Sequence, residues 1–81
     1  MSKLTSAERK WLNDVQAVLN DCPSDRIGFF TTGDRTIYTW DLDKTDAVND
    51  HRCDFHEAVR RERASFSVFL TFPTQVESTA G

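Results

Sequence analysis

The sequence predicts an α+β domain: a three-stranded sheet in the order 2-1-3, carrying two helices on one face, in the chain order α-β-β-α-β. Three observations predict it. Apolar residues recur at helical spacing before Asp21, side chains alternate with period two across Arg26 to Leu42 and again across Ser65 to Phe72, and a second helical stretch separates the two alternating runs. Each run has one apolar face to bury, and a two-layer sandwich of helices on a sheet buries them together.

The first helix starts at Thr5-Ser6-Ala7-Glu8, where a hydroxyl at the cap and a carboxylate three residues on have capping-box spacing. Leu4, Trp11, Leu12, Val15, Val18 and Leu19 then fall on one stripe, and Pro23 stops the helix near Asn20 or Asp21. Such a helix reads as an amphipathic lid over an apolar sheet.

The hairpin follows. Ile27 to Thr31 and Arg35 to Leu42 are rich in β-branched and aromatic residues, and Gly33-Asp34 between them suits a two-residue type II′ turn. That turn pairs Thr31 with Thr36, Phe29 with Tyr38 and Ile27 with Trp40 on a core face. It pairs Phe30 with Ile37 and Gly28 with Thr39 on the opposite face. A slip of one residue would exchange the two faces.

Asp43-Lys44-Thr45-Asp46 opens a second helix running to about Ala64, with Val48, Phe55 and Val59 on its buried side. Acids crowd its first half and Arg60, Arg61 and Arg63 its last turn, the polarity that the helix dipole favours. Ser65 to Phe72 alternates as a third strand, closed by Pro73 and placed beside the first strand by a right-handed crossover. Residues 1–73 make a single domain, and 74–81 read as a flexible tail.

Composition excludes several classes of function. The 81 residues are 38% hydrophobic and 28% charged, with a formal net charge of −3. An acidic chain lacks the basic footprint of direct nucleic-acid binding. No apolar run approaches the length of a membrane span. With no secretion signal in the polar N-terminus, Cys22 and Cys53 read as two free thiols in a cytoplasmic protein.

Catalysis is not expected, and neither is a cofactor. Asp41-Leu42-Asp43-Lys44-Thr45 resembles the DxDx(T/V) nucleophile loop of haloacid-dehalogenase-type phosphatases, but only over those five residues. Such enzymes need a doubly wound parallel sheet for which the chain has no room, so the stretch reads as a turn with helix-capping acids. As an EF-hand it is also poor, with Asp46 where the bend needs Gly and Arg52 where the loop needs Glu. His51, Cys53 and His56 are metal-ligand types, yet on a helix the two histidines lie about 140° apart. Cys53 and His56 alone fall short of the three or four ligands a site needs. No metal is expected.

Two surfaces remain for a partner. Phe30, Ile37 and Phe69 cluster on the back of the predicted sheet, opposite both helices, where they would bind a protein partner or a second copy of the chain. Asp43, Asp46, Asp50, Asp54 and Glu57 would form a ridge on the second helix, an alternative surface able to imitate a phosphate backbone before a nucleic-acid-binding protein. The expected function is therefore that of a small acidic interaction module. In size, acidity and lack of a catalytic set the chain resembles short accessory proteins of phages or prophages.

Overall fold

A computed structural model describes residues 2–77. It is a mixed α+β structure with three helices and a three-stranded antiparallel sheet. Helix α1 (Ser6–Asn20) begins on the expected capping box: the Glu8 amide donates to Thr5 Oγ1 at 3.1 Å, and the Thr5 amide to Glu8 Oε1 at 2.8 Å. It ends where Asp21 and Cys22 donate back to the Val18 and Leu19 carbonyls, just before Pro23. None of its residues is buried. The expected lid is therefore absent: α1 projects from the body, its apolar stripe in solvent, with Trp11 52% exposed.

Strands β1 (Ile27–Phe30) and β2 (Thr36–Asp41) form the hairpin, but its register is shifted by one residue from that of the two-residue turn. Gly28 stands opposite Trp40, Phe29 opposite Thr39 and Phe30 opposite Tyr38. The loop is Thr31 to Arg35, with Gly33 at φ 96°. Thr31 Oγ1 accepts from the Gly33 amide at 3.2 Å, and Asp34 Oδ1 from the Thr36 amide at 2.8 Å. These side-chain turns widen the connection and supply the extra residue. The shift exchanges Phe29 and Phe30 between faces, and a packing constraint demands it. A Cβ on Gly28 would lie 2.5 Å from the Trp40 indole nitrogen, so only glycine lets the ring lie across β1.

The expected second helix is two helices. After a 3₁₀ turn at Leu42–Lys44 come α2 (Thr45–Asn49) and α3 (Phe55–Arg61), separated where Asp54 caps α3 by accepting from the Glu57 amide at 2.9 Å. Asp and Asn compete with helix through such bonds. Arg63, at φ 53°, ends α3 in a Schellman motif: its amide bonds the Arg60 carbonyl and that of Ala64 the Val59 carbonyl. A residue with a Cβ is disfavoured there. Arg63→Gly is expected to stabilise the chain by about 0.5–1 kcal/mol, measured by chemical denaturation.

The helical pair folds back on itself, and this decides the strand order. Ala64 returns to the end of β2, where its carbonyl accepts from the Asp41 amide at 2.7 Å, and Trp40 bridges antiparallel to Ser65. The chain must then run antiparallel along the free edge of β2. Strand β3 (Leu70–Thr71) pairs with Ile37 and Thr36, so the order is β1-β2-β3, not 2-1-3. Between the two paired stretches Ser67 and Val68 bulge outward, and Thr39 Oγ1 bonds the Val68 carbonyl at 2.5 Å.

The buried core is Trp40, Val48, Ala58, Val59 and Ala64, with Phe30 and Cys53 packed against it. Phe55 meets Trp40 and Phe30 edge-on, at 4.9 and 5.3 Å between ring centres, and Tyr38 stacks on Phe30 at 5.4 Å. Lys44 closes the helical pair by donating to the Glu62 carbonyl at 3.0 Å, and His51 Nε2 lies 2.6 Å from Glu62 Oε2. From the expected tail, Gln75 donates to the Gly33 carbonyl at 3.0 Å; residues 78–81 lie outside the described ones.

Candidate functional site

The hairpin register leaves one face of the sheet uncovered. With Phe30, Tyr38 and Trp40 turned toward α2 and α3, alternation turns Ile27, Phe29, Ile37 and Thr39 the other way. Pairing with β3 adds Leu70 beside Ile37, and the returning chain adds Phe66 beside Thr39. Ile27, Phe29, Ile37, Thr39 and Leu70 floor an apolar groove of about 520 Å³, walled at one end by Val18, Leu19 and Cys22 of the α1 terminus, and Phe66 lines the hollow beside it. Phe29 is 50% exposed and Val68, on the bulge, 71%.

The groove's polar groups are already engaged. Thr39 donates its hydroxyl to Val68, and no buried side-chain nitrogen or oxygen among the described residues lacks a hydrogen-bond partner. The floor therefore offers shape and apolar area, not a hydrogen-bonding pattern. Polarity sits at the rim, where the Arg26 guanidinium covers the Phe66 ring at 5.1 Å and meets Asp41 at 3.4 Å. An apolar centre with a charged rim is the anatomy of a protein-binding surface.

The residues expected on this face are divided. Ile37 lies on it. Phe30 does not: the register shift turns it to the core side, against Tyr38 and Phe55. Phe69 borders the groove, but its ring approaches Tyr38 at 6.1 Å on the far side of the sheet. Sequence reasoning missed Ile27, Phe29, Leu70 and Phe72 here. The signal was present, since the same alternation read one residue over selects Phe29 instead of Phe30.

The acidic residues do not form one ridge, because the helix that would align them is interrupted. Asp43 belongs to the 3₁₀ turn, Asp46 to the first turn of α2, and Asp50 and Asp54 to caps on either side of the break. Asp41 accepts from the Asp43 amide at 3.0 Å, as a capping acid does. Glu57 is held by Arg60 and by Arg61 Nε at 3.1 Å. Hydrogen bonds from Arg60 first, then Arg61, lower its carboxyl from 4.5 to about 2.

That pairing stabilises the folded state above about pH 4.5 and is lost as pH falls toward 2, where the folded carboxyl also binds its proton. Glu57→Gln is expected to flatten the pH dependence of stability in this interval, measured by denaturant midpoints across the range.

The metal-ligand residue types are likewise dispersed. His51 is paired to Glu62, His56 lies against Phe30 and Tyr38, and Cys53 packs on the core. No group of three His, Cys, Asp or Glu side chains able to hold a metal ion occurs among the described residues. No helix among them is long and apolar enough to cross a membrane.

Fold and face together define a small α+β protein with one side of its sheet left open. The chain matches no model of a known protein family, no curated protein and no solved structure.

Proposed function

We propose that this chain is a small acidic, non-catalytic interaction module of the cytoplasm, which captures a protein surface on the open face of its sheet. One observation carries the reading: Ile27, Phe29, Ile37, Phe66 and Leu70 share an apolar face against which, among the described residues, only the last turn of α1 abuts, at one end. Contiguous exposed apolar area of this kind marks interaction sites on small proteins. An acidic mimic acting through Asp43, Asp46, Asp50, Asp54 and Glu57 has less support, because those carboxylates are spread over several elements and two of them, Asp54 and Glu57, are engaged in local bonds.

Phe29→Asp tests the reading. The substitution is at a half-exposed position, so it is expected to preserve the circular dichroism spectrum while abolishing association, measured by light scattering on the eluting protein. Association through an apolar face should persist as salt is raised, whereas binding by an acidic mimic weakens steeply. Full association by Phe29→Asp would end the proposal.

A further inference from the structure

Outside the core, two apolar surfaces of one chain are left largely uncovered among the described residues. The groove is one. The other is α1, whose 15 residues include none that is buried, while its Trp11 and Leu12, and Leu4 just before it, stand in solvent. A helix of this length is marginal on its own in water and ordinarily owes its stability to packing along its apolar side. We propose that the occupant of the groove is α1 of a second copy of this chain, in a reciprocal dimer in which each helix lies on the other copy's sheet. The proposal rests on the reading of the open face as a binding surface and commits it to one partner.

Geometry favours a second copy over closure of α1 onto its own sheet. The connection from Asp21 to Arg26 is fastened at several points: Cys22 donates to the Leu19 carbonyl at 3.2 Å and its thiol to the Ser24 carbonyl at 3.4 Å. Arg26 is held by Asp41 and Phe66, and its carbonyl accepts from Leu42 at 2.8 Å. The last turn of α1 already walls the groove, while Trp11 lies about 12 Å further along the axis and lines no part of it. A two-fold axis beside the groove would lay that outer part of each helix across the partner's strands, giving a closed, isologous contact.

The exposed area agrees. A folded monomer of 9.3 kDa is expected to expose roughly 5,000 Å². This chain exposes 6810 Å², a surplus of roughly 1,800 Å². A standard interface removes about 800 Å² from each partner, so the surplus is ample for a stable dimer.

The test uses the full chain, with sedimentation equilibrium or light scattering to fix its mass. The wild type is expected to be a dimer, and Trp11→Asp and Phe29→Asp are each expected to weaken it by at least about thirtyfold per half-contact, as loss of an aromatic anchor does. Mixed together, the two monomeric variants should form a heterodimer, because one supplies an intact helix and the other an intact groove. Both positions are half-exposed, and unchanged circular dichroism keeps misfolding apart from lost association. A second measurement needs no substitution: hydrogen exchange in α1 should slow as wild-type concentration rises. A monomeric wild type, a mixture that stays monomeric, or α1 exchange independent of concentration would overturn the proposal. A dimer abolished by Phe29→Asp but indifferent to Trp11→Asp would overturn it while leaving the open face a binding surface. A dimer indifferent to both would overturn both readings.

Discussion

Gly28→Ala is expected to destabilise the fold by about 1–3 kcal/mol, and Gly28→Val by more. The added Cβ would fall 2.5 Å from the Trp40 indole nitrogen, 2.6 Å from Leu42 Cδ2 and 2.9 Å from Trp40 Cδ1. Leu42 is partly exposed and can turn away. Trp40 cannot, since it is 7% exposed and fixed edge-on against Phe55. The strain must therefore spread into the β1–β2 pairing itself. The measurement is a urea unfolding midpoint, and a loss under about 0.5 kcal/mol for the alanine variant would mean the indole is free to shift. The contact also predicts non-additivity: in a Trp40→Leu background the Gly28→Ala penalty should shrink, with a coupling of about 0.5–3 kcal/mol.

The second large effect is Trp40→Ala, expected to cost about 3–5 kcal/mol. A domain of this length has a total stability of about 4–12 kcal/mol. Its few core residues cluster with this ring: Phe55 meets it edge-on, Val48, Ala58, Val59 and Ala64 share the cluster, and Phe30 packs against it. Removal of the indole takes the packing surface from both the hairpin and α3. The variant should lose its near-ultraviolet dichroism and unfold at or near room temperature. Retention of a cooperative thermal transition within a few degrees of the wild type would contradict the assignment of Trp40 as the centre of the core.

How much of this was legible in the sequence depends on how local each signal is. The capping box at Thr5 and Glu8 and the stop at Pro23 are decided within one turn of chain, and α1 lies where they place it. The two antiparallel strands of the hairpin were legible too, with Tyr38 and Trp40 inward. Its register was not. Phe29 and Phe30 are adjacent, so either alternation offers an aromatic for the core, and the choice is made by Trp40 lying over Gly28, a contact between strands. The break between α2 and α3 was hidden because Val48, Phe55 and Val59 keep helical spacing across it, while Asp54 acts as a cap instead of continuing the helix. The strand order depends on that break. Of the expected binding face, Ile37 kept its place, and Phe30 moved with the register.

The detachment of α1 has a consequence for how the protein can change over generations. Substitutions along the outer helix do not disturb Trp40, Val59 or their neighbours, because no side chain of α1 reaches them. Changes at Trp11, Leu12 and the positions around them would alter what the molecule meets while the hairpin and helical pair go on folding as before. The Asp21–Arg26 connection is the seam between a part constrained by folding and a part constrained by what it meets.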